Sequence, residues 1–141
     1  MSESALTTLK LLNGYRFEVE FDVASIPSLV VDEIMPIGEN SGPNPTRLLS
    51  VAVGQCLSSS LLYCLQKARV EVKNLETSIR ADTERNDEGR LRITTLDVQI
   101  HLEVKEEDKA RVSRCLEIFE NYCTVTQSIR RGINVNVKMI I

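Results

Sequence analysis

Gly42-Pro43-Asn44-Pro45-Thr46-Arg47-Leu48-Leu49-Ser50-Val51-Ala52-Val53-Gly54-Gln55-Cys56 decides how this chain reads. A loop of breakers runs straight into a long apolar stretch. Asn44 is a good N-cap, because its side-chain oxygen accepts from a free amide of the first turn. Pro45 suits the first helical position, where its missing N–H costs nothing. The spacing predicts a helix from Pro45 to about Lys67, roughly 34 Å long if continuous. Leu48, Leu49, Val51, Ala52, Val53, Leu57, Leu61, Leu62 and Leu65 wrap nearly all of its sides. A helix apolar all round is a buried one. In a chain of 141 residues that implies a central helix shared with a partner subunit. Gly54 suits a kink or a close helix contact.

Strand patterns flank this helix on both sides. Tyr15, Phe17, Val19, Phe21 and Val23 alternate with Arg16, Glu18, Glu20 and Asp22, the mark of a half-buried strand. Asn13-Gly14 precedes them and is expected at the centre of a type I′ hairpin turn. Leu29 to Met35 predicts a short third strand at an edge. Val70 to about Glu84 and Leu91 to Val104 predict two long strands around a turn at residues 86–89. Apolar parity switches along the second of these, which places a bulge near Thr94-Thr95. Glu106-Glu107-Asp108 puts acids at the start of the next helix, as its dipole favours. Val112, Leu116, Phe119 and Cys123 follow helical spacing. The β-branched Thr124-Val125-Thr126 then marks a break or a restart, and Arg130-Arg131-Gly132 an exit. Ile133 to Ile141 alternates again and predicts a last strand. The order β-β-β-α-β-β-α-β predicts one α+β domain over residues 1–141.

Bulk numbers exclude several functions. Hydrophobic residues make up 43% and charged ones 26%, ordinary for a globular domain. The net charge is −3 and no stretch is strongly basic, so neither nucleic acid nor an anionic membrane is the expected partner. Arg47, Gly54, Gln55 and the serines interrupt the longest apolar run, which is therefore not read as a membrane span. The polar start Met1-Ser2-Glu3-Ser4-Ala5 lacks a signal-peptide pattern. The cytoplasm is the expected compartment, where thiols stay reduced. The four cysteines lack Cys-x-x-Cys spacing and the only histidine is His101, so no metal site is expected.

Two cysteines invite chemistry. Cys56 lies about three turns into the helix, one turn from the small residues Ala52, Val53, Ser59 and Ser60 and two turns from Tyr63 on the same face. A reactive cysteine needs a depressed pKa and access to substrate. Cysteine is also among the most buried residue types, and taken alone Cys56 reads more readily as an inert core thiol. Cys123 ends the apolar stripe of its helix and reads the same two ways. Cys64 and Cys115 sit mid-helix among apolar neighbours and read as structural. The helix N-terminus with Arg47 in its first turn is a weak anion site. His101 falls on the solvent face of its strand, and Arg130-Arg131 on a solvated helix end.

Asn44-Pro45 with Cys56 twelve positions after the Asn resembles the OsmC/Ohr family, the osmotically inducible and organic hydroperoxide resistance proteins. Cys123-Thr124-Val125-Thr126 is similar to that family's second motif, usually Cys-Pro-Val-Ser. The element order agrees over nearly the whole chain. The resemblance implies an intertwined homodimer in the cytoplasm that reduces small organic hydroperoxides to alcohols, an oxidative stress response without a cofactor. Carried over, Cys56 is the peroxidatic cysteine that becomes a sulfenic acid. Cys123 is the resolving cysteine, and an external dithiol or small thiol re-reduces the disulfide. Arg47 and Tyr63 are the substrate-binding candidates. The chain departs from the pattern at Thr46, where the peroxidase branches carry a Glu that holds an Arg over the thiolate. That departure keeps a second reading open: a binding or carrier protein for a thiol-bearing small molecule of the coenzyme A type.

Overall fold

A computed structural model describes residues 2–141 as two compact units, one ending at Leu49 and the other spanning Ser50–Ile141. In the first unit, β1 (Thr7–Asn13), β2 (Arg16–Phe21) and β3 (Leu29–Val31) form an antiparallel sheet in that order. Leu9 faces Val19 and Leu11 faces Phe17. The hairpin turn is centred on Gly14-Tyr15 rather than on Asn13-Gly14, because Asn13 pairs with Arg16. Only Gly14 of the two has positive φ, at 52°, the sign pattern of a type II′ turn. β3 is an edge strand, as expected, but it stops at Val31.

The reason it stops is Asp32. Its buried carboxylate accepts from the amides of Glu33 (2.8 Å), Glu39 (3.0 Å) and Ser41 (3.2 Å) and from the Ser41 hydroxyl (2.7 Å). Residues 33–41 wrap around that one side chain instead of extending the sheet. The Ser41 hydroxyl, followed by the amides, outweighs burial and holds the Asp32 pKa at about 2.

Helix α1 (Pro45–Lys67) begins at the end of the first unit and runs through the second. The Arg47 amide donates to Asn44 Oδ1 at 3.1 Å, so the expected N-cap is formed. Within the second unit Val53, Gly54, Leu57, Leu61 and Leu65 are buried, while Val51 and Tyr63 are exposed. The helix is therefore covered on one side by its own chain and bare on the other. By length and composition alone it would suffice to cross a membrane; the core helix of a soluble protein meets the same test.

β4 (Val72–Arg85) and β5 (Leu91–Val104) form a long antiparallel hairpin closed at Asn86–Arg90. Asp82 pairs with Thr95 and Thr83 with Ile93, which leaves Thr94 unpaired. This is the bulge that the change of apolar parity required. Gly54 meets β4 closely: a Cβ there would run into the end of the Ile79 side chain. The glycine serves a close contact with the sheet, not a kink. Ser58 Oγ fixes the same crossing through the Gly54 carbonyl (2.7 Å) and Thr77 Oγ1 (2.6 Å).

The expected second helix is two. α2 (Lys109–Ile118) runs into a 3-10 turn (Phe119–Tyr122), Cys123 is extended at φ −78° and ψ 99°, and α3 (Thr124–Arg131) restarts before Gly132. Among the described residues, 133–141 pair with no strand, so the predicted last strand is not formed within the chain. Cys64 of α1 and Cys115 of α2 form a disulfide with Cα atoms 5.7 Å apart. The sequence pattern read them as separate core thiols in a reducing setting. Their bond crosses a core of Leu61, Leu65, Val70 and Val112.

Candidate functional site: a thiol pair beside a cavity

Helix α1 delivers Cys56 and the break before α3 delivers Cys123. The two side chains meet in a second core cluster with Val53 and Leu57. Cys123 is fully buried and Cys56 partly exposed, and both are free thiols. Each sulfur influences the other's ionisation. The fold thus brings together the two cysteines that the sequence motifs singled out, 67 positions apart in the chain.

Their environments differ. Cys123 caps α3: its sulfur accepts from the Thr126 amide at 3.4 Å, and its thiol donates to Thr126 Oγ1 at 3.0 Å. Burial alone would push its pKa up. The Thr126 hydroxyl, the Cys56 thiol and the amides of Thr126 and Val125 outweigh burial and bring it below the ordinary value. A helix N-terminus favours a thiolate for this reason. Cys56 receives less. Burial raises its pKa first, and the facing Cys123 sulfur adds to the rise. The Val125 amide, 3.5 Å away, opposes only in part. None of these leading influences on Cys56 is a cation.

Cys56 opens on a cavity of about 710 Å³. Along α1 it is lined by Cys56, Ser59, Ser60, Tyr63, Cys64 and Lys67, and opposite by Ile118, Tyr122 and Thr124. Ser59 and Ser60 leave the room their small size suggested. Tyr63 stands at the wall, with Lys67 Nζ 5.3 Å from its ring centroid. Arg47 is not among the residues that line this cavity. Its guanidinium donates to Asn44 Oδ1 at 3.2 Å. Arg16 donates to Asn13 Oδ1 at 3.3 Å, while its buried Nε has no partner among the described residues. Among the described residues no cluster of ligating side chains fits a metal ion. The sequence reading missed Thr126 and Lys67. The first was legible as the hydroxyl three positions after Cys123, which is N-cap spacing; the second carried no local signal.

A thiol pair, one member buried and capping a short helix and the other partly exposed and facing a cavity from a central helix, defines a dithiol protein of α+β fold. The family model described as OsmC-like protein matches residues 38–138, and the chain belongs to that family. Protein YhfA of Escherichia coli (strain K12) is 26% identical over 100 residues, covering 68% of this chain and 73% of that protein. The OsmC-like protein of Mycoplasma pneumoniae superposes with a TM-score of 0.77 over 100% of both chains at 12% identity. The organic hydroperoxide resistance protein OhrB of Bacillus subtilis superposes with a TM-score of 0.61 over 91% of both chains at 17% identity. At such identities the solved structures speak to the fold, which is the expected α+β one.

Proposed function

We propose that the protein is a dithiol hydroperoxide reductase in which Cys56 attacks the peroxide and Cys123 resolves the product. The observation that carries this reading is the meeting of a partly exposed thiol at a cavity with a buried thiol whose pKa its hydrogen-bond partners lower. Cys123, the more acidic of the two, is too buried to meet a substrate. It takes the proton of Cys56 while the Cys56 sulfur attacks the outer oxygen of an organic hydroperoxide. The O–O bond breaks, and the departing alkoxide takes a proton from solvent to give the alcohol. Cys56 is left as a sulfenic acid. Cys123 loses its proton again and displaces hydroxide from the Cys56 sulfur to form the disulfide. An external dithiol or two small thiols return two electrons. Proton exchange within the pair stands in for the Arg that a Glu at the position of Thr46 would hold over the thiolate.

The same reading includes a homodimer in the cytoplasm. Ile133, Val135 and Val137 are 63%, 81% and 83% exposed, and an alternating apolar segment outside the sheets of its own chain suits a strand site on a second copy. The exposed side of α1 supports it too. The test is consumption of tert-butyl hydroperoxide in the presence of a dithiol. Wild type turns over, Cys56→Ser does not, and Cys123→Ser, having lost the base as well as the resolving thiol, reacts more slowly, once only, and stops at a sulfenic acid that dimedone traps. Equal, negligible consumption by wild type and Cys56→Ser refutes the reductase reading. Retention of a disulfide-linked small thiol by the purified protein would then favour the carrier reading.

A further inference from the structure

The Cys64–Cys115 disulfide lies outside the reaction just described, yet it is not sealed in the core. Cys115 is 2% exposed, but Cys64 is only half-buried. Cys64 also lines the cavity that holds Cys56. A neighbouring cleft of about 240 Å³ is lined by both cysteines together with Lys67, Arg111 and Arg114. A disulfide reached from a cleft with three cations is open to an attacking anion in a field that favours it. Arg111 is partly committed, donating to the Ala68 and Arg69 carbonyls and to Asp108. Among the described residues Lys67 has no partner beyond the Tyr63 ring, and Arg114 lines the cleft.

We infer that Cys64–Cys115 is a second thiol–disulfide exchange centre, built to take a small anionic thiol at Cys64. The thiolate attacks Cys64 Sγ, the Cys64–Cys115 bond breaks, and Cys115 leaves as a thiolate beside the arginines. A mixed disulfide remains on Cys64. A second thiolate attacks the bound thiol's sulfur, releasing the oxidised small thiol and leaving Cys64 and Cys115 reduced. Two electrons have then passed from two small thiols to the protein. Attack on Cys64 rather than Cys115 follows from exposure. Eight residues of helix separate Cys56 from Cys64, about 12 Å along the axis, so the adduct on Cys64 stands at the wall of the cavity that serves Cys56. This inference does not require Cys56 to reduce hydroperoxides.

The test reduces the oxidised full-length Cys56→Ser protein with glutathione, which is anionic, or with cysteamine, which is cationic, at matched thiolate concentrations. Alkylation and mass spectrometry follow Cys64 and Cys115. Glutathione is expected to be faster by on the order of ten-fold at low salt, with the difference collapsing in 1 M salt. A Lys67→Gln/Arg114→Gln double variant brings the two rates to within about two-fold. In a Cys115→Ser variant, oxidised glutathione leaves one glutathione on Cys64. Equal rates for the two thiols in the parent protein, an adduct on neither cysteine, or failure of Cys64 and Cys115 to pair under oxidised glutathione would overturn the inference.

Discussion

Reducing the Cys64–Cys115 bond removes a tie that closes 51 positions of chain. In the unfolded ensemble a loop of that length loses closure entropy worth about 4 kcal/mol at room temperature. The bond crosses the contact between α1 and α2, so the reduced protein should give up most of that stabilisation. With a urea slope of about 2 kcal/mol/M for a domain of this size, the midpoint should fall by about 2 M. Oxidised and reduced forms of Cys56→Ser are the right pair to compare. They differ in no atom but two hydrogens, so no cavity term enters, and the Cys56–Cys123 bond cannot form in either. Far-ultraviolet circular dichroism reads the transition. A midpoint shift below about 0.5 M would mean that the bond stabilises by no more than about 1 kcal/mol. The chain-entropy argument would then fail for this fold.

Leu65→Ala deletes a side chain with no exposed area in the same core and should cost about 2–5 kcal/mol, measured by denaturant unfolding. Thr126→Val keeps the shape but removes the hydroxyl at Cys123. Disulfide formation after a single hydroperoxide pulse should slow most at neutral pH and recover as the pH rises, because a weaker acid needs more alkali to become a thiolate. Asp32 has a folded pKa near 2 against an ordinary 3.8, so its contribution is complete above the ordinary value and is lost as pH falls through about 2. The amide shifts of Glu39 and Ser41 should therefore titrate together with a midpoint near 2; a midpoint near 3.8 would contradict the carboxylate's role.

The elements that sequence rendered well are those set by local chemistry. Asn44 and Pro45 announced the start of α1, and the change of parity after Ile93 placed the bulge at the Thr94-Thr95 pair, of which Thr94 is the unpaired residue. The two-thiol site was legible because Cys56 stands at the family's spacing from Asn44-Pro45 and Cys123 opens the second motif. What stayed hidden depended on partners far along the chain. Nothing near Cys64 points to Cys115, since their meeting is decided by how α2 lies across α1. Asp32 looked like one more polar residue after a strand, and only the fold of residues 33–41 around it shows why the strand ends. The segment 133–141 alternates like a strand, but alternation states a preference for pairing without supplying the pair. The turn at Gly14 was misplaced by one residue because Asn13 tolerates positive φ yet is held in the ladder opposite Arg16.

Exposure of the reduced protein to one equivalent of an organic hydroperoxide, followed by alkylation and peptide mapping, tests the central claim most directly. The account predicts a disulfide between Cys56 and Cys123, formed without loss of protein and absent in Cys56→Ser. A Cys56 that stays alkylatable, or that is oxidised to a sulfinic acid with Cys123 still a free thiol, would contradict it.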